Sequence, residues 1–116
     1  MKNLELKILT KIIRELSHFL LVHGFKTFSL ETKVEDKVTY FVISIDQPKK
    51  ALLDKMKERI SRERELEVET YGWELLGDMD DKNELDVLGL LIDDIVIEEK
   101  PNQAVITLSR VSRYKD

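Results

Sequence analysis

Residues 14–46, RELSHFLLVHGFKTFSLETKVEDKVTYFVISID, hold the pattern that decides the fold. The stretch opens on the end of a helix. At 100° per residue Leu9, Ile12, Ile13, Leu16, Phe19 and Leu20 fall on one arc, while Lys11, Arg14, Ser17 and His18 lie away from it. Gly24 stands where a helix takes a left-handed cap, so the helix over residues 3–23 is expected to stop at His23. Thr27 to Val34 then alternates, with Phe28, Leu30 and Val34 on one side and Ser29, Glu31 and Lys33 on the other. That is a strand with one wet face. After the polar turn Glu35-Asp36-Lys37, Val38 to Ile45 is apolar on both faces and mostly β-branched or aromatic, the mark of a central strand.

A shorter version of the same pattern returns at residues 85–111, LDVLGLLIDDIVIEEKPNQAVITLSRV. Here Asn83 is placed to cap a helix over Glu84 to Ile92. A second hairpin follows, Asp94 to Glu99 and Ala104 to Val111, turned by Lys100-Pro101-Asn102-Gln103. Between the two units, Asp46-Gln47-Pro48 reads as a helix start, with Asp46 as capping residue. Leu52, Leu53, Met56 and Ile60 form the apolar stripe of that helix. Glu65 to Thr70 alternates as a short exposed strand would, and residues 71–83 read as a loop. Helices alternating with pairs of antiparallel strands predict one α+β domain over residues 1–116. The expected form is a two-layer sandwich, a mostly antiparallel sheet of about four or five strands with helices on one face.

Composition narrows the function. The chain has no cysteine, which removes thiol catalysis, disulfides and cysteine-bound metal together. His18 and His23 lie about 140° apart around a helix and do not form a metal-chelating pair. The acidic run Asp78-Met79-Asp80-Asp81 lacks the glycine and spacing of a calcium loop and reads as a solvated loop. The MKNLELKILTKIIREL start is broken by charge every few residues, and no apolar run reaches the ~20 residues of a membrane span, so a cytoplasmic protein without a membrane partner is expected. A net charge of −4 disfavours nucleic acid as a general partner. One basic surface stands out. Over residues 49–64, Lys49, Lys50, Lys55, Lys57, Arg59, Arg62 and Arg64 face only Asp54, Glu58 and Glu63. The segment has no aromatic residue on which bases would stack, so a protein partner suits it better. Lys49, Lys50, Lys57, Arg59 and Arg62, with Trp73 from the following loop, are the candidate partner contacts.

The helix with Glu15 and His23-Gly24, the strand ending Val42-Ile43-Ser44-Ile45-Asp46, and the later Leu88-Gly89-Leu90-Leu91-Ile92 before two strands resemble the GHKL ATPase domain. The likeness is nearest to the anti-sigma-factor serine kinases and covers about two thirds of the chain by pattern. It implies a Bergerat-type fold, with Glu15 as the remnant of a general base and Asp46 and Gly89 as remnants of the nucleotide site. The departures are equally specific. Where the family has a magnesium-binding Asn, four residues after the Glu, this chain has Phe19, which offers no oxygen. Asp46 is followed by Gln47-Pro48 instead of glycines, and the whole chain has only Gly24, Gly72, Gly77 and Gly89 with which to build a phosphate lid.

Each candidate also has a structural use: Glu15 as a solvated helix-face carboxylate, Asp46 as a helix cap, Gly89 as a point of close helix packing. The expectation is therefore a non-catalytic regulatory or scaffold domain that needs no cofactor and works through protein contacts, by the basic helix or an open sheet edge, with homodimerisation within its scope. An active serine kinase or ATPase using Mg-ATP through Glu15 and Asp46 is the first alternative. A small-ligand sensor on an unrelated α+β sandwich is the second.

Overall fold

The computed structural model describes residues 3–60 and 84–112. The expected strand at 65–70, the loop at 71–83, and Arg62, Arg64 and Trp73 lie outside the described residues. The elements run α1 (Asn3–Val22), β1 (Phe28–Glu35), β2 (Val38–Asp46), α2 (Lys50–Ile60), α3 (Glu84–Leu91), β3 (Asp94–Lys100) and β4 (Gln103–Val111). The fold is α+β. Four antiparallel strands are ordered β1-β2-β4-β3, so the two hairpins meet along their second strands.

The core lies on one side of that sheet. β2 and β4 alternate strictly: Thr39, Phe41, Ile43 and Ile45 are buried on one strand, and Ala104, Ile106, Leu108 and Arg110 on the other. Against them pack Ile8, Leu9, Ile12, Leu16, Phe19 and Leu20 of α1, Leu53, Met56 and Ile60 of α2, and Leu85, Val87, Leu88 and Leu91 of α3. In the helical layer α3 contacts both α1 and α2, and α2 leans over β3. The apolar arc expected on α1 is correct in direction, with Ile8 and Glu5 joining it and Ile13 only half-buried.

Backbone geometry explains where the helices and turns fall. α1 ends in a Schellman motif: the Phe25 amide donates to the Leu20 carbonyl at 3.0 Å and the Gly24 amide to Leu21 at 3.1 Å. This arrangement needs Gly24 at φ +86°, which glycine reaches without a Cβ penalty. The hairpin turns place Asp36 (φ 54°) and Asn102 (φ 62°) in the same left-handed region, which their short polar side chains tolerate.

The capping role expected of Asp46 is corrected. The amides of Leu52 and Leu53 both donate to the carbonyl of Lys49, so α2 starts from Lys49. Asp46 is instead the last residue of β2, paired with Gln103, and lies too far back along the chain to reach the first helical amides.

Candidate functional site

Glu15 lies midway along α1, and its carboxylate meets Lys11 one turn earlier at 2.9 Å. Asp46 is exposed at the far end of β2. Gly89 is buried inside α3, the helix that contacts both α1 and α2. Phe19 is 3% exposed in the core, with its ring 4.5 Å from that of His23. The position that the resemblance gives to a metal ligand is thus filled by a packed benzyl group.

The basic helix is partly committed to its own chain. Arg59 donates to Asp86 of α3 at 2.8 Å, and Lys50 donates to Glu99 of β3 at 3.1 Å with Asp54 at 3.6 Å. The Glu99 hydrogen bond, with the charges of Asp54 and Glu99, holds the Lys50 ammonium above the ordinary lysine value. Lys49 and Lys57 are exposed. Lys49 also lines an open groove of about 260 Å³ with Lys55, Leu52, Ala51 and His23, between the end of α1 and the start of α2.

Sequence reasoning missed the most buried polar pair. Arg110 is 0% exposed, and its Nε and Nη2 donate to the two carboxylate oxygens of Glu5, each at 2.8 Å. Its Nη1 donates to the carbonyl of Leu91 at 2.8 Å. Leu91 ends α3, so its carbonyl has no partner further along the helix and takes a cation readily. One guanidinium therefore joins the first turn of α1, the end of α3 and the sheet. The signal was present in two phases. Glu5 sits three and four residues before Ile8 and Leu9, and Arg110 sits two after Leu108. An acid and a base each in phase with the core are each expected to need a charged partner there.

The sheet has a second face. Reading across β1-β2-β4-β3, its rows are Lys33-Tyr40-Ser109-Asp94, Glu31-Val42-Thr107-Val96 and Ser29-Ser44-Val105-Glu98. All of these residues are in the phase opposite to the buried one. The centre is apolar or hydroxylated, and Val96 is 58% exposed. Charges stand on the outer strands. Among the described residues, no helix is long and apolar enough to cross a membrane.

Comparison with family models, with curated proteins and with solved structures finds no match for this chain.

Proposed function

We propose that this chain is a non-catalytic regulatory or scaffold domain that works by protein contact. The outward sheet face carries the reading. Tyr40 and Val42 of β2, Val105 of β4 and Val96 of β3 share this face with Ser44, Thr107 and Ser109, with Lys33 and Glu31 along one margin and Asp94 and Glu98 along the other. A centre of valine, tyrosine and hydroxyl side chains inside a charged rim is the anatomy of a contact surface. The buried position of Phe19 and the Lys11 contact of Glu15 support the same reading, because neither residue is then offered to Mg-ATP. Lys49 just before α2 and Lys57 on it add exposed positive charge that favours an acidic partner.

Isothermal titration with Mg-ATP tests the proposal. No binding heat is expected, and saturable binding at micromolar concentration contradicts it.

One observation favours the nucleotide-binding alternative. The groove that His23 lines with Lys49 and Lys55 places two lysine side chains near the start of α2, where an anion would be attracted. If that alternative held, ATP at a hundred times its dissociation constant would add about 2.7 kcal/mol of stability. Lys49→Ala/Lys55→Ala would abolish the gain. The contact-domain reading expects no ATP-dependent shift in either protein.

A further inference from the structure

β1 is the outer strand beside β2 among the described residues, and its sequence is complementary to itself. The pair Glu35 and Val38 closes the two-residue turn of the β1-β2 hairpin, so the odd-numbered residues of β1 exchange backbone bonds with β2. The amides and carbonyls of Phe28, Leu30, Thr32 and Val34 then point away from the sheet. They form a row of donors and acceptors eight residues long, which is a template for another strand.

We infer that a second copy of this chain fills that edge, β1 pairing antiparallel with its counterpart about a two-fold axis at Thr32. In this register Thr32 faces Thr32 of the second copy through an exchanged pair of backbone bonds. Glu31 faces Lys33 and Lys33 faces Glu31. Leu30 faces Val34 and Val34 faces Leu30, on the helix side of the sheet where Val34 is 51% exposed. Threonine pairs, opposite charges and apolar pairs directly opposed are the contacts that stabilise antiparallel strands.

The two nearest two-fold registers are disfavoured by the same residues. Centring on residue 31 opposes two glutamates, and centring on residue 33 opposes two lysines. Centring on Val34 carries the pairing into the turn at Asp36-Lys37. A lysine within an edge strand ordinarily blocks such pairing. Here it favours the Thr32 register, where it meets Glu31, over the register centred on residue 33, where it would meet itself.

The result is an isologous dimer with a continuous eight-stranded sheet and two copies of the outward face side by side. It rests on the reading of this chain as a contact domain, naming the partner and the strand. Its test is separable from the calorimetric one, because the titration reports on nucleotide and the measurements below report on β1.

The cysteine-free background makes the register directly readable. Opposed residues in an antiparallel ladder have Cα atoms ~4.5–5.5 Å apart, within disulfide range. Under mild oxidation Thr32→Cys is expected to give a crosslinked dimer. Ser29→Cys and Glu35→Cys are each expected to stay uncrosslinked alone and to crosslink when mixed. In sedimentation, Lys33→Glu is expected to raise the dimer dissociation constant by about tenfold or more, from two attractive pairs made repulsive. Glu31→Lys/Lys33→Glu, which swaps the charges and restores both pairs, is expected to return it to within about threefold of the parent. A monomer at every concentration up to the solubility limit overturns the inference. So does a dimer indifferent to Lys33→Glu, or one in which Ser29→Cys alone crosslinks, since another surface or register would then hold it.

Discussion

Each half of the molecule is a helix followed by a hairpin, and the halves differ in how the outer strand is held. The inner strands are alike: β2 and β4 are both nine residues long, share the same alternation of burial and pair with each other at the centre of the sheet. The approaches differ. α1 runs for 20 residues and is stopped by Gly24 before a connection over residues 23–27, whereas α3 runs for 8 and only Ile92 and Asp93 separate it from β3.

The outer strands differ more. β3 lies against α2, buries Ile95 and is bound to that helix by Lys50 and Glu99. β1 buries none of its side chains fully, and Thr32 and Val34, although in phase with the core, are exposed. Among the described residues, two strands with the same place in their hairpins thus differ in cover: α2 packs on β3, and β1 is left largely exposed. The difference is made by the helical layer rather than by strand propensity.

The largest effect is expected where the C-terminal half is bolted to α1. Removing one partner of a buried ion pair leaves the other charge unpaired, so Glu5→Gln and Arg110→Met should each cost about 3–5 kcal/mol in chemical denaturation. The double replacement Glu5→Met/Arg110→Met should cost clearly less than the sum of the two, because neither member of this pair is left facing the other's empty place. An additive double variant would mean that the contact between the two residues is not what holds the halves together.

A smaller effect belongs to the N-terminal half alone. Gly24→Ala forces a Cβ into the left-handed region at a cost of about 1–2 kcal/mol, and Gly24→Asn should lose less. No loss at all would contradict the Schellman stop.

The smallest effect is expected where α2 meets β3. Lys50 is exposed, so Lys50→Ala should alter the thermal midpoint only slightly, and more at low than at high salt. Its raised pKa sets the sign of the pH dependence: the contribution is present at neutral pH and is lost as pH rises through the folded-state value, beyond the ordinary lysine range. A loss on the acid side of neutrality would have to come from other groups.

Much of this architecture was legible in particular residues. The arc from Leu9 to Leu20, Gly24 and the doubly apolar Val38 to Ile45 correctly indicated a helix, its stop and a central strand, because periodicity and cap chemistry act within a few residues of chain. Asp46 was misread because the Asp-x-Pro signal competes with β2, whose pairing with Gln103 holds Asp46 in the sheet. Arg59 and Lys50 were read as surface charge, yet their partners Asp86 and Glu99 lie 27 and 49 residues away, and only the fold brings them together. Glu5 and Arg110, 105 residues apart, were hidden for the same reason, although each was in phase with apolar neighbours.

The most direct test of the contrast between the two edges is hydrogen exchange at Leu30, Thr32 and Val34 as a function of protein concentration. In dilute solution these outward-pointing amides should exchange far faster than those of Phe41 and Ile43, which donate within the sheet. As the concentration passes the dimer dissociation constant they should become protected together, with Thr32 among the most protected, while the amides of β3 do not change. Protection of Leu30, Thr32 and Val34 that is already complete in dilute monomer would contradict an open β1 edge. Exchange that stays fast in a demonstrated dimer would place the contact on another surface.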